Sequence, residues 1–126
     1  EVWLRRLTVQ VSFKTPRAWT QPYEAIMDTG APVSIIPPAI WKDIDREILG
    51  EYKIQGIVLK RDAFLPVKIA NISCVLMDEK NVTGTLKIKA YLSLEEKAPL
   101  VLGFENIISN ARLYIDTKND DGYIVI

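Results

Sequence analysis

The sequence predicts an all-β fold, a closed β-barrel with one short helix. Three observations point there. Apolar residues alternate with polar ones at period two over several short runs. Clusters of turn-forming residues separate those runs. One stretch, residues 38–49, instead carries its apolar residues near the helical spacing. Many short strands joined by turns argue for a sheet that closes on itself.

The elements follow in order. Leu7, Val9, Val11 and Phe13 alternate with Thr8, Gln10 and Ser12, the pattern of a half-buried strand. Residues 14–22, with Pro16 and Pro22, are a connection, and Trp19 is an exposed aromatic on it. Residues 23–27 are the next strand and residues 34–37 another short one. In residues 38–49, Ile40, Trp41, Ile44 and Ile48 share a helical face, with Pro38 suited to the start and Gly50 to the stop. Residues 52–58 and 65–77 are strands on either side of a polar tip holding Lys60, Arg61 and Asp62, a long β-hairpin. Leu65, Val67 and Ile69 share one parity, whereas Ile72, Cys74 and Leu76 share the other. That mismatch predicts a bulge or kink near Ala70 and Asn71.

Residues 78–84 are a turn cluster. Leu86, Ile88, Ala90 and Leu92 then alternate with Lys87, Lys89 and Tyr91, the cleanest strand in the chain. Residues 94–98 are a polar connection, residues 100–102 an apolar strand, and residues 105–110 one or two helical turns. Leu113 and Ile115 belong to a further strand with Arg112, Tyr114 and Asp116 facing out. Residues 118–122 are a turn, and residues 123–126 a terminal strand.

At 126 residues the chain is expected to be one domain, residues 1–126, around one core. Sixteen basic and sixteen acidic residues cancel, so no basic field exists to hold nucleic acid. No apolar run approaches the roughly 18 residues of a membrane-spanning helix. The chain opens on Glu1 rather than Met, which suggests a trimmed piece of something longer; without a secretory signal, the cytoplasm is the expected setting. A single cysteine, Cys74, excludes an internal disulfide and reads as a small buried apolar residue. There is no histidine. Ser-His-Asp and Cys-His chemistry are therefore impossible within the chain, and a zinc site lacks its usual nitrogens and enough sulfurs. Neither a metal nor a cofactor is expected. Acid–base chemistry must run on carboxylates, lysines or tyrosines.

One carboxylate stands out. Asp28 lies between an apolar approach, Ala25-Ile26-Met27, and an apolar exit, Val33, Ile35 and Ile36. A charge placed between two buried segments is costly unless its site compensates it. Gly30 and Pro32 force the chain into a tight turn there. The result is an acid presented on a turn at the end of a buried strand.

Asp28-Thr29-Gly30-Ala31 after an apolar run resembles the active-site signature of the retroviral-type aspartic proteases, the retropepsins, and their cellular relatives. Further along, Leu100-Val101-Leu102-Gly103-Phe104-Glu105-Asn106 resembles the same family's later motif, an apolar run and a glycine followed by a polar position. The order of the two motifs and the chain length suit a single retropepsin lobe per chain.

That resemblance implies an aspartic endopeptidase acting on extended peptides or proteins. Such an enzyme needs two carboxylates sharing one proton across a water, and two acids about 3 Å apart cannot both ionise readily. This chain has one Asp-Thr-Gly. Asp121-Gly122 lacks the central Thr and the buried approach, and reads as a turn. The second acid must then come from a second copy across a two-fold axis, so a homodimer is expected. The family roles would make Asp28 the catalytic acid. Thr29 would hydrogen-bond across the axis, and Gly30 would offer its carbonyl to substrate. Leu102 and Gly103 would pack behind the loop. Ala31 would line the substrate site together with Gly56, Ile57 and Val58, which belong to a flap at about residues 54–69 that closes over the peptide. Glu105 or Asn106 would be the polar position that contacts the core. Residues 123–126 would be a candidate interface strand. The alternative reading is a catalytically weak or inactive peptide-binding or dimerisation module of a larger protein. Asn71-Ile72-Ser73 and Asn81-Val82-Thr83 match the glycosylation pattern and read as chance matches.

Overall fold

The computed structural model describes residues 7–55 and 64–126. In chain order these form β1 (Leu7–Phe13), β2 (Tyr23–Met27), β3 (Ser34–Ile36), the helical turn α1 (Pro38–Trp41), β4 (Glu47–Gln55), β5 (Phe64–Met77), β6 (Leu86–Ser93), β7 (Val101–Leu102), a 3-10 turn (Ile108–Asn110), β8 (Arg112–Asp116) and β9 (Asp121–Val125).

Six strands close a ring. β1 pairs antiparallel with β2, β2 parallel with β7, and β7 antiparallel with β3. β3 then pairs parallel with β6, β6 antiparallel with β5, and β5 antiparallel with β1. Closure removes the open edges that a flat sheet would expose. β1 makes the corner: Leu7–Val11 lie against β2, and Gln10–Phe13 lie against β5. β4 sits outside the ring as an edge strand on β5, and β8 and β9 form a separate two-stranded sheet. The expected all-β barrel with one short helix is the fold observed. Among the described residues no helix is long and apolar enough to cross a membrane.

The alternation read from the sequence sets the core. Val11 and Phe13 from β1, Ile88, Ala90 and Leu92 from β6, and Ile72, Cys74 and Leu76 from β5 are buried together with Ile36, Leu102 and Ile107. Each large apolar side chain buried this way contributes about 1.5–3 kcal/mol. Trp19 is 41% exposed on its loop, as expected.

Three expectations are corrected. The helix expected over residues 38–49 stops at Trp41, and Glu47 already belongs to β4. Ile40, Trp41 and Ile44 are buried as predicted, but Ile48 and Leu49 are 46% and 48% exposed. The guanidinium of Arg46 donates to the carbonyls of Trp41, Lys42 and Ile44, which satisfies groups a longer helix would have used. Beyond it, β4 pairs with β5 over Glu47–Ile48 and Gly50–Gln55, and that tertiary ladder overrides the helical spacing. Gly50 is therefore no helix stop; it adjoins a register shift between Ile48 and Gly50.

That shift is the second correction. The irregularity expected in β5 near Ala70 and Asn71 lies opposite, in β4, while β5 runs against β6 in unbroken register from Val67 to Cys74. A bulge in one strand twists its partner as well, and the inward parity of β5 changes between Val67 and Ala70 without an inserted residue. Third, Ile115 is 45% exposed rather than turned inward. The helical turn expected within residues 105–110 is observed as the 3-10 turn Ile108–Asn110. The stems of the long hairpin are observed, with Gln55 paired to Phe64. Its tip, including Gly56, Ile57 and Val58, lies outside the described residues.

Candidate functional site

Asp28 is positioned by the strand that was expected to deliver it. β2 and β7 run parallel, with Met27 opposite Leu102. The N–H of Asp28 donates to the Leu102 carbonyl at 3.0 Å, one rung beyond the end of β2. The chain then turns sharply. The N–H of Ala31 donates to the Asp28 carbonyl at 3.2 Å, and the N–H of Gly30 donates to Asp28 Oδ1 at 2.9 Å. A Cβ on Gly30 would come within 3.3 Å of that oxygen and crowd the carboxylate. Asp28 is half-buried, whereas Thr29 and Gly30 are exposed. Among the described residues, Oδ2 accepts no hydrogen bond. One oxygen is therefore fixed by the turn, and the other is available to a partner.

The turn is clamped from behind. β7 lies between β2 and β3, parallel to the first and antiparallel to the second. The segment that leaves β7 passes directly beneath the turn. Gly103 N–H donates to Ser34 Oγ at 2.9 Å, Phe104 N–H to the Ala31 carbonyl at 2.8 Å, and Glu105 N–H to the Pro32 carbonyl at 2.9 Å. Together with the Leu102 carbonyl, four consecutive residues each hold one point of residues 28–34. Gly103 is required for this approach: an added Cβ would lie 2.7 Å from the Ala31 oxygen and 2.7 and 2.8 Å from the Val33 carbonyl atoms.

The chain is similar to a solved protease. The structure of EIAV protease complexed with the inhibitor HBY-793 overlaps 82% of this chain and 86% of its own, with a TM-score of 0.44 and 18% sequence identity. That overlap is loose, and the closed barrel rests on the strand ladders above. No family model matches the chain, and no curated protein does.

The structure thus brings Asp28, Thr29, Gly30 and Ala31 together with Leu102 and Gly103. Gly56, Ile57 and Val58 fall outside the described residues. Between the two polar positions left open by the sequence, Asn106 is the one that reaches the sheet. Its Oδ1 accepts the Lys89 N–H at 3.0 Å, and its own N–H donates to Ser109 Oγ at 3.1 Å. Asn106 takes φ 67°, a left-handed conformation that asparagine tolerates better than most residues. Glu105 instead makes a surface pair with Lys89 Nζ at 3.7 Å, both half-exposed, an interaction worth about 0–1 kcal/mol.

Ser34 was missed. Its only signal is a small polar residue at the head of an apolar run, Ser34-Ile35-Ile36, and it is fully buried. Cys74 behaves as the sequence suggests: burial pushes its thiol up to about 12, which keeps it protonated and unreactive. Among the described residues no group of His, Cys, Asp and Glu is arranged to hold a metal ion. A groove of ≈ 950 Å3 lies between β1, Met27, residues 78–83 and β9.

Proposed function

We propose that the chain is one half of an aspartic endopeptidase, active when two copies bring their Asp28 carboxylates together. The observation that carries this reading is the half-exposed Asp28, held through one oxygen on a turn fixed from behind, with its second oxygen unengaged among the described residues. A lone acid held this way cannot both activate water and protonate a leaving group. Two such acids can, because their mutual repulsion leaves one protonated and one ionised.

In the paired site the ionised carboxylate takes a proton from water as the water oxygen attacks the scissile carbonyl carbon. The protonated partner supports the carbonyl oxygen as charge develops there. Collapse of the tetrahedral species breaks the C–N bond, and the proton is delivered to the leaving nitrogen. Thr29 ties one turn to the other across the axis. Gly30 and Ala31 present backbone to an extended peptide, which pairs as an added strand. The β4–β5 hairpin, with Gly56, Ile57 and Val58 toward its tip, closes over that peptide. The exposed terminal strand β9 contributes to the contact between copies.

Asp28→Asn tests this reading. An asparagine oxygen can still accept the Gly30 N–H, so the variant is expected to fold with stability within about 0.5 kcal/mol of the parent. Cleavage of extended peptides at mildly acid pH is expected to be lost. Full activity in that variant would exclude Asp28 as the acid.

A further inference from the structure

We infer that Ser34 is a positioning residue for Asp28. This rests on the reading of Asp28 as the reactive acid, but its geometry stands apart from it. Ser34 opens β3 with no exposed surface, next to buried Ile35 and Ile36 and opposite Ala90 of β6. A hydroxyl in such surroundings is costly unless it is hydrogen-bonded. Here Oγ accepts the Gly103 N–H across 69 residues of sequence, at 2.9 Å.

No backbone acceptor replaces it. β7 ends at Leu102, and the paired strand β2 has already turned away at Asp28. The flanking residues have backbone partners: Leu102 accepts from Asp28, and Phe104 donates to Ala31. Ser34 is therefore the single side chain in a row of otherwise backbone bonds, and it acts at the point of closest approach. An unbonded Gly103 N–H would be buried against Val33, where it would drive the segment away from the turn. The two bonds on either side, Asp28 N–H to Leu102 and Phe104 N–H to Ala31, would loosen first. Asp28 would then lose its fixed orientation while the far side of the barrel stayed intact.

The test is amide hydrogen exchange on the intact chain. In Ser34→Ala, the amides of Asp28 and Phe104 are expected to exchange at least about fivefold faster relative to those of Ile72 and Ile88 on β5 and β6, the lower bound for an unpaired buried amide. Ser34→Thr keeps the hydroxyl and is expected to recover most of that protection. Ser34→Cys, close in size but a weak acceptor, makes the same comparison if Ser34→Ala does not fold. Cys74→Ala, which empties space on β5, controls for lost stability and should leave the ratio unchanged. An unchanged ratio in both Ser34→Ala and Ser34→Cys would overturn the assignment. In peptide cleavage, Ser34→Ala should lower kcat with KM held, and Ser34→Thr should restore it. A parent protein that cleaves nothing would remove the protease reading, while the exchange ratio would still decide the role of Ser34.

Discussion

The turn at Asp28 and the hairpin of β8 and β9 are both short connections carrying an Asp-Gly pair or its near equivalent, yet they are held in opposite ways. Residues 28–34 are fastened by successive hydrogen bonds from residues 102–105, and Gly103 is wedged between backbone atoms. Among the described residues the hairpin pairs only with itself. It packs inward through Leu113 and Ile124, and its other side shows Tyr114, Tyr123 and Val125 at 52%, 60% and 53% exposure. A two-stranded ribbon alone is marginal in water. The difference is plain: one region holds a carboxylate in place, and the other leaves apolar side chains exposed.

Two glycines break this comparison most directly. A Cβ at Gly103 would meet backbone on both sides, and one at Gly122 would lie 2.6 Å from the Tyr114 carbonyl oxygen. Gly103→Ala is expected to cost about 3 kcal/mol or more, because the core strands that would have to part are fixed. Gly122→Ala is expected to cost less, about 1–2 kcal/mol, because the two-stranded ribbon can shift more readily than the barrel strands. Denaturant melts of both variants measure the gap, and equal losses would show that the hairpin is as rigid as the site.

The aromatic face comes next. Tyr114 and Tyr123 stack with ring centroids 5.2 Å apart. Tyr123→Ala is expected to remove about 0.5–1.5 kcal/mol of that pairing and to weaken self-association by sedimentation. Folding loss without any change in association would confine the stack to a structural task.

The smallest effect concerns pH. Asp116 caps the hairpin turn, and the Asn119 side chain and amide, with the Lys118 amide, hold its carboxyl below the ordinary 3.8. Because the folded value is the lower one, the contribution is complete above 3.8 and fades as pH falls through the folded value. The turn should therefore stay intact at mildly acid pH. A carbon-detected titration of Asp116 should show its midpoint below 3.8, moving back toward 3.8 in Asn119→Ala.

Much of the barrel was legible because its strands alternate cleanly. β1 and β6 follow the period-two pattern, β2 is an apolar run that leads into a turn, and β7 follows an apolar run bounded by a proline and a glycine. Residues 42–49 were misread because Ile44 and Ile48 fall at a helical spacing while the backbone finds better partners on β5. Parity alone could not say which strand of the hairpin carried the irregularity. At the site, Asp28 stood out as a charge in apolar surroundings, and Gly103 through the motif its segment resembles. Ser34 did not, and the choice between Glu105 and Asn106 stayed open, because a single hydrogen bond to a distant amide leaves no periodic trace.

The pairing of two Asp28 carboxylates is tested most directly by mixing. Parent protein and Asp28→Asn are combined at fixed total concentration, allowed to exchange subunits, and assayed for peptide cleavage as the parent fraction falls. If each active site needs an acid from both copies, activity falls as the square of that fraction. Activity proportional to the fraction itself would mean that one chain works alone, and the shared site would be wrong.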